Sequence, residues 1–464
     1  MQKKHLLTLA AMLAAVIIPS RAEDAKTLAD GKQPNIVLLF VDDWGWADFH
    51  ARNPKFESPN IDQLMSDGID FTQAYIACPT CSPSRATLLT GQHPARLRIV
   101  RHIPTAPNKD GFDQFGRTDE EFHTLKTDPA NFPCRNWLPL EKTTYAEALG
   151  ELGYYNYFVG KWHLGHEPYH PIHQGFDSQA GTSNWGHPSN YNPPYFKNSD
   201  VYKDEKERYL TDKLTDESVE FLEKYDSSQP FMLSLWYYTV HGPQIGRKDY
   251  VKHFEEKGMT GKDAHYAAMV KSLDDSVGRI RETLKKQQLD QNTIVILLSD
   301  QGGTFENPPF HGGKKSDTLY EGGARVPFAF YWPGVTKQGS KNENIVQSTD
   351  LFPTLVEIAG GDVSKYKDLD GISLLDVIRE DTTLDRGEPI YGYRAYEDLY
   401  ASVREGDWKL LAYRSGKVKL YNIAKDISEE KDLATSNPEK AEELRKKLAT
   451  WEQSMGVEKY SGVQ

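Results

Sequence analysis

Cys81-Ser82-Pro83-Ser84-Arg85-Ala86-Thr87-Leu88-Leu89-Thr90-Gly91 reads as a short helix whose start and stop are both written into the chain. Ser82 can cap a helix N-terminus, Pro83 suits a first turn, and Gly91 suits a left-handed stop. This predicts an exposed Cys81 at the positive end of the helix, where oriented N–H groups lower a thiol's pKa and gather anions. The stretch therefore reads as a nucleophile aimed at an anionic group. A buried structural cysteine ahead of a capped helix is the alternative.

Outward from this stretch, apolar runs end repeatedly in ionisable residues. Asn35-Ile36-Val37-Leu38-Leu39-Phe40-Val41 predicts a strand buried on both faces, and it stops at Asp42-Asp43. Residues 155–159 lead into Gly160-Lys161-Trp162-His163-Leu164-Gly165, residues 231–238 reach His241-Gly242-Pro243, and residues 293–298 run into Ser299-Asp300-Gln301-Gly302-Gly303. Helices are predicted between them: one opened by Ser58-Pro59, one opened by a Thr144/Glu147 capping box and reaching Leu152, one over about 211–225, and one carrying Val270, Leu273, Val277, Ile280 and Leu284 at helical spacing. Asp274-Asp275 on the last of these reads as a solvated or capping feature. In an open α/β sheet, ligands gather at the carboxyl ends of the strands, where these polar residues fall.

Composition bounds the rest. The 464 residues carry 55 Lys and Arg against 67 Asp and Glu, a net charge of −12, which makes a poor nucleic-acid binder and leaves any anionic substrate to a local basic pocket. Lys3, Lys4, an apolar run from Leu6 to Ile18 and Ser20-Arg21-Ala22 read as a signal peptide over residues 1–22, cleaved after Ala22. That run is too short to span a bilayer, so the expected product is periplasmic or secreted, with no membrane span. Three cysteines argue against a disulfide framework, although a Cys78–Cys134 bridge would leave Cys81 free.

Two stretches stay open. His93, Arg96, Arg98, Arg101 and His102 form a basic cluster that predicts either a substrate-binding wall or plain solvated surface. Residues 154–196, dense in aromatics and His (His166, His170, His173, Trp185, His187, Tyr191), suit either sugar faces or a loop packed on itself.

The Cys81-x-Pro83-x-Arg85 pattern with its Leu88-Leu89-Thr90-Gly91 tail resembles the signature of the type I formylglycine-dependent sulfatases, arylsulfatase-like members of the alkaline phosphatase superfamily. Gly160-Lys161-Trp162-His163-Leu164-Gly165, His241-x-Pro243, His311-Gly312-Gly313-Lys314 and Tyr320-Glu321-Gly322-Gly323-Ala324-Arg325-Val326-Pro327 extend the likeness over nearly the whole mature chain. The resemblance implies that Cys81 is converted to Cα-formylglycine (3-oxoalanine) by a formylglycine-generating or anaerobic sulfatase-maturing enzyme. It implies that Arg85 orients that group, Lys161 and Lys314 hold sulfate, His241 assists the leaving group and His163 is the base. It also implies metal ligation by Asp42, Asp43, the converted Cys81, Asp300 and Gln301, with Ca²⁺ ahead of Mg²⁺. The family usually has Asn or His where Gln301 stands, and the gap between Lys314 and Glu321 is longer than its pattern, which makes Lys315 an alternative to Lys314. Glu321, Gly322, Gly323 and Arg325 are expected to hold the backbone.

The expected architecture is an α/β alkaline-phosphatase-like catalytic domain over residues 23–384, with a mixed, mostly parallel sheet between helices. A small C-terminal domain over 385–464 follows, with a four-stranded antiparallel sheet and a helix. The expected function is hydrolysis of sulfate esters on a sulfated oligo- or polysaccharide. A phosphonate or phosphate ester hydrolase of the same superfamily and a non-catalytic binder of sulfated glycans are the alternatives.

Overall fold

The computed structural model describes residues 32–105, 112–113, 116–226 and 228–462. The expected signal peptide lies outside the described residues. Pro34 precedes β1 (Asn35–Val41), in which every residue is buried. Alternate side chains enter two separate cores: Ile36, Leu38 and Phe40 on one face of the sheet, and Val37, Leu39 and Val41 on the other. A strand with helices on both faces needs this continuous apolar character, which is why its sequence reads as an unbroken run.

The chain continues through α1 (Pro59–Asp67), β2 (Ile69–Tyr75), α2 (Cys81–Thr90), α3 (Tyr145–Glu151), β3 (Tyr155–Lys161), β4 (Ser178–Ser183), α4 (Leu210–Lys224), β5 (Phe231–Trp236), α5 (Gly261–Lys286), β6 (Thr293–Ser299), β7 (Phe328–Tyr331), β8 (Ser340–Gln347) and α6 (Leu351–Ile358). Their strand order is β8-β2-β7-β6-β1-β5-β3-β4, and a short strand at Arg325–Val326 pairs with β2. β1 lies parallel to β5 and β6, and β3 is parallel to β4 and β5. β7 runs antiparallel to its neighbours, so the sheet is mixed but mostly parallel.

The capping box predicted at α3 forms: the Thr144 Oγ1 accepts from Glu147 N at 3.1 Å, and Glu147 Oε2 accepts from Thr144 N at 2.7 Å. Asp274 is a cap rather than a solvated residue. It is fully buried on α5 and its carboxylate accepts from Asn60 N and Ile61 N at 2.8 and 2.9 Å, satisfying the start of α1.

Beyond residue 385 come β9 (Ile390–Tyr393), β10 (Leu399–Glu405), β11 (Trp408–Tyr413), β12 (Val418–Asn422) and α7 (Pro438–Met455). The four strands form an antiparallel sheet in sequence order, packed on α7 through Leu444, Leu448 and Trp451. Among the described residues, no helix is long and apolar enough to cross a membrane.

Candidate active site

The ends of β1, β3 and β6, the segment after β5 and the start of α2 converge on one point beyond the carboxyl edge of the sheet. Adjacent backbone bonds lock the rim together: Asp300 N donates to Val41 O, Asp42 N to Thr239 O and Val240 N to Asp42 O, all within 3.0 Å. Asp43 adopts a left-handed backbone, φ 60°, a conformation that the short polar Asp side chain tolerates. Its N–H donates to Asp300 Oδ1 at 3.0 Å.

Cys81 departs from the expected placement. Thr80, not Ser82, is the N-cap of α2, and no side chain caps that end. Ser82 instead accepts from Ile103 N at 3.0 Å. Cys81 is therefore the first helical residue and is buried, 6% exposed. The Gly91 stop holds, with φ 63° and its N–H on Thr87 O. The Cys81 Sγ lies 3.8 Å from Asp42 Oδ1 and 3.6 Å from Gln301 Nε2. Burial alone raises a thiol's pKa, but Lys161, His241 and Lys314 outweigh it and bring Cys81 down to about 5.

Three buried carboxylates face three cations here. Lys161 Nζ donates to Asp42 Oδ2, Lys314 Nζ to Asp43 Oδ2, and Arg85 Nη2 to Asp300 Oδ2 at 3.1 Å. Burial opposes the charge on Asp42, yet Lys161, His241 and Arg85 hold its carboxyl well below the usual range. Asp43 and Asp300 are raised, first by burial and then, for Asp300, by Asp42 and Cys81. Arg85 also donates to Lys161 O at 2.9 Å, so it is a brace between α2, β3 and β6. Lys315 is exposed, and Lys314 is the lysine that reaches the cluster.

Two histidines take opposite electrostatic positions. His163 Nε2 sits 2.8 Å from Ile103 O, which fixes the N–H there and leaves Nδ1 buried without a partner. Burial and then Lys161 push its pKa well below the ordinary value, so the ring is a neutral acceptor. Trp162 turns the other way, stacking on Trp236 at 6.1 Å. Burial works against a charge on His241, but Asp43, 3.7 Å from Nε2, raises its pKa. His241 stacks on His187, centroids 5.3 Å apart and 9° from parallel.

These groups open into a cavity of about 460 Å³ lined by Cys81, His163, His241, Gln301 and Lys314. All ten residues singled out from the sequence are in this cluster or braced against it. Others on the wall were not: Gly186, Arg394 and Tyr396. Arg394 and Tyr396 come from the C-terminal sheet, and no local motif links that hairpin to Cys81. His102 and His187 lie in stretches flagged only by composition. Of the basic cluster, only His102 lines this cavity. His93 bonds Tyr391 O, Arg96 pairs with Asp370, and Arg101 is spent on His123 O, Phe132 O, Ala395 O and Asp128, so these three are scaffold, neither substrate-binding wall nor solvated surface. In the aromatic-rich stretch Trp162, Tyr191 and Tyr195 are buried against neighbouring segments, Tyr191 OH donating to His241 O and Tyr195 OH to Arg208 O, while His187 lines the cavity. Cys78 and Cys134 are free thiols, not a bridge.

The donor set fits a hard divalent cation. Ligand atoms of Asp42, Cys81 and Asp300 lie within 4.8 Å of one another, as do those of Asp43, Cys81 and His241. Gln301 Nε2 is 2.6 Å from Asp43 Oδ1, so the longer side chain reaches the cluster, and a rotated amide presents its oxygen there. Carboxylate and amide oxygens select Ca²⁺ or Mg²⁺ over softer metals.

The family model described as Sulfatase matches residues 34–361, and one described as N-sulphoglucosamine sulphohydrolase, C-terminal, matches residues 311–454. The chain is 32% identical to the N-acetylgalactosamine-6-sulfatase of Mus musculus, covering 78% of this chain and 69% of that protein. It is 27% identical to a sulfatase of Formosa agariphila, covering 95% and 92%. Among solved structures, Ps i-CgsB in complex with k-i-k-neocarrahexaose superposes with a TM-score of 0.78 at 31% identity, covering 92% of this chain and 94% of that one.

Proposed function

We propose, from the premise that this chain belongs to the sulfatase family and is a sulfuric ester hydrolase, that its substrate is a sulfated oligo- or polysaccharide and its nucleophile a group made from Cys81. The carbohydrate names of its relatives, an N-acetylgalactosamine-6-sulfatase and a protein bound to a neocarrahexaose, support the substrate class. The observation that carries the nucleophile is convergence: Asp42 and Gln301 lie within 3.8 Å of the Cys81 sulfur, with Lys161 and Lys314 paired to the adjoining carboxylates.

An unmodified thiolate attacking a sulfate ester would form a stable thiosulfate adduct. A Cα-formylglycine at position 81 supplies, as its hydrate, one hydroxyl to attack sulfur and a second whose deprotonation releases sulfate, with no water attack on sulfur. Such a residue requires a maturing enzyme, of the formylglycine-generating or anaerobic sulfatase-maturing kind. A divalent cation, held by Asp42, Asp43, Asp300, Gln301 and position 81, supplies Lewis-acid charge neutralisation, with Ca²⁺ ahead of Mg²⁺.

This chain's own groups do the rest. Lys161 and Lys314 place positive charge where sulfate oxygens gain negative charge. His241 holds a proton for the departing sugar oxygen. His163, its Nε2–H anchored on Ile103 O, keeps the Nδ1 lone pair free to take a proton from position 81. Arg85 positions Lys161 and Asp300. The expected signal peptide, which would route the product to the periplasm or the exterior, belongs to the same proposal.

The test is parallel assay of sulfate and phosphate esters of one sugar by the matured protein, before and after chelation and with Ca²⁺ or Mg²⁺ restored. Sulfate release that is lost on chelation and restored by Ca²⁺ is the expected result. Preferential phosphate release would favour the phosphoesterase alternative, and tight binding of the sulfated sugar without turnover would favour the binder.

A further inference from the structure

The wall of the cavity facing the C-terminal sheet holds a cation that the proposed chemistry does not use. Arg394, the first residue after β9, is 7% exposed yet lines the cavity. Its Nη1 donates to Thr318 Oγ1 and lies 3.3 Å from Glu397 Oε1, while its Nε has no partner. Glu397 is a weak counter-ion, because its side chain is 53% exposed and solvent screens the pair. The other cations of the site each face a fully buried carboxylate.

The guanidinium is also held in place. Its carbon sits 4.4 Å from the Tyr396 ring centroid. Tyr396 in turn accepts from His102 N at 2.8 Å and bonds His102 Nδ1 at 2.6 Å, tying the hairpin to the segment beyond α2. A guanidinium held rigidly at the cavity wall, whose carboxylate partner is screened by solvent, is short of one anion.

Resting on the reading of this cavity as a sugar sulfatase site, we propose that Arg394, braced by Tyr396 and His102, receives a second anionic group of the substrate, a carboxylate or another sulfate close to the ester that is cleaved. The substrate class is then a sugar with at least two negative charges near the scissile bond. The planar fork of Arg suits either oxyanion through paired N–H···O bonds.

The test uses Cys81→Ala protein, which cannot turn substrate over, titrated calorimetrically with three probes: a monosulfated N-acetylhexosamine, its disulfated counterpart, and a disaccharide joining the monosulfated sugar to a uronic acid. At least one dianionic probe should bind roughly ten- to hundredfold more tightly than the monosulfated one, as for a charged hydrogen-bond pair. Arg394→Gln in the same background should reduce that ratio to about threefold or less, and Arg394→Lys, which keeps the charge without the fork, should fall between. The disulfated and uronate arms tell which anion is read. Equal affinity for all three probes, or no binding of any, overturns the proposal, whatever the folding of the Arg394 variants. Sulfate release by the mature protein, measured separately, decides the underlying sulfatase reading: a binding preference without release would keep Arg394's role and sink that reading.

Discussion

Two of the buried charge clusters among the described residues make a contrast, because one of them opens into a cavity and the other does not. At the sheet edge, Asp42, Asp43 and Asp300 meet Arg85, Lys161 and Lys314 beside a cavity. At the junction with the C-terminal sheet, Lys409 Nζ lies 2.8 Å from Glu321 Oε1 and 3.0 Å from Glu429 Oε1, and Glu321 also holds Tyr75 OH at 2.7 Å and Arg325 at 3.3 Å. The junction's charges pair with each other and line none of the cavity. Buried charge alone therefore does not distinguish the two; convergence on Cys81 beside an opening does.

Breaking each cluster should separate the two roles. Cys81→Ala should lower kcat by at least about four orders of magnitude, as loss of a nucleophile does, with little change in Tm. The Lys409→Met variant should do the reverse: Glu429 left buried without its cation, and Glu321 with Arg325 alone, should cost about 3–5 kcal/mol in denaturant unfolding, while kcat of the folded fraction stays near wild type. Gly186→Ala sharpens the contrast. A Cβ there would stand 2.7 Å from His163 Cε1, so the ring must shift, and a displacement of the base should reduce kcat by roughly a hundredfold without a matching loss of stability.

The smallest effect is a pH dependence at the junction. Burial and Glu321 outweigh Lys409 in raising Glu429 to about 7 from an ordinary 4.5. A raised carboxyl pKa favours the folded state most below pH 4.5, and that contribution is lost as pH rises through about 7. The stability difference between wild type and Glu429→Gln should therefore change across that window and be flat above it. Glu321 has the opposite sign. Burial works against its charge, but Lys409 and Arg325 hold it at about 2, so its contribution is present above pH 4.5 and fades as pH falls through 2.

The edge cluster was legible because strand-end chemistry is local. Asp42-Asp43, Lys161-x-His163 and Asp300-Gln301 each sit within a few residues of an apolar run that the sheet demands. β1 was read at its observed limits because a continuous apolar run leaves little choice. The Cys81 exposure was misread because a helix start is not a surface: what covers Cys81 comes from β1 and from Gln301, distant in sequence. The same reason hid Arg394 and Tyr396, whose hairpin reaches the cavity only through packing of the two sheets. Lys409 and Glu429 carry no signal, since a charged residue in a strand or turn usually faces water.

The central claim concerns position 81, and peptide mass spectrometry tests it most directly. The fragment carrying Cys81, taken from active protein made in a host able to mature it, should be lighter by about 18 Da than the cysteine form, the change from thiol to aldehyde. An intact Cys81 thiol throughout fully active enzyme would contradict the account and move the chemistry to the metal and its carboxylates.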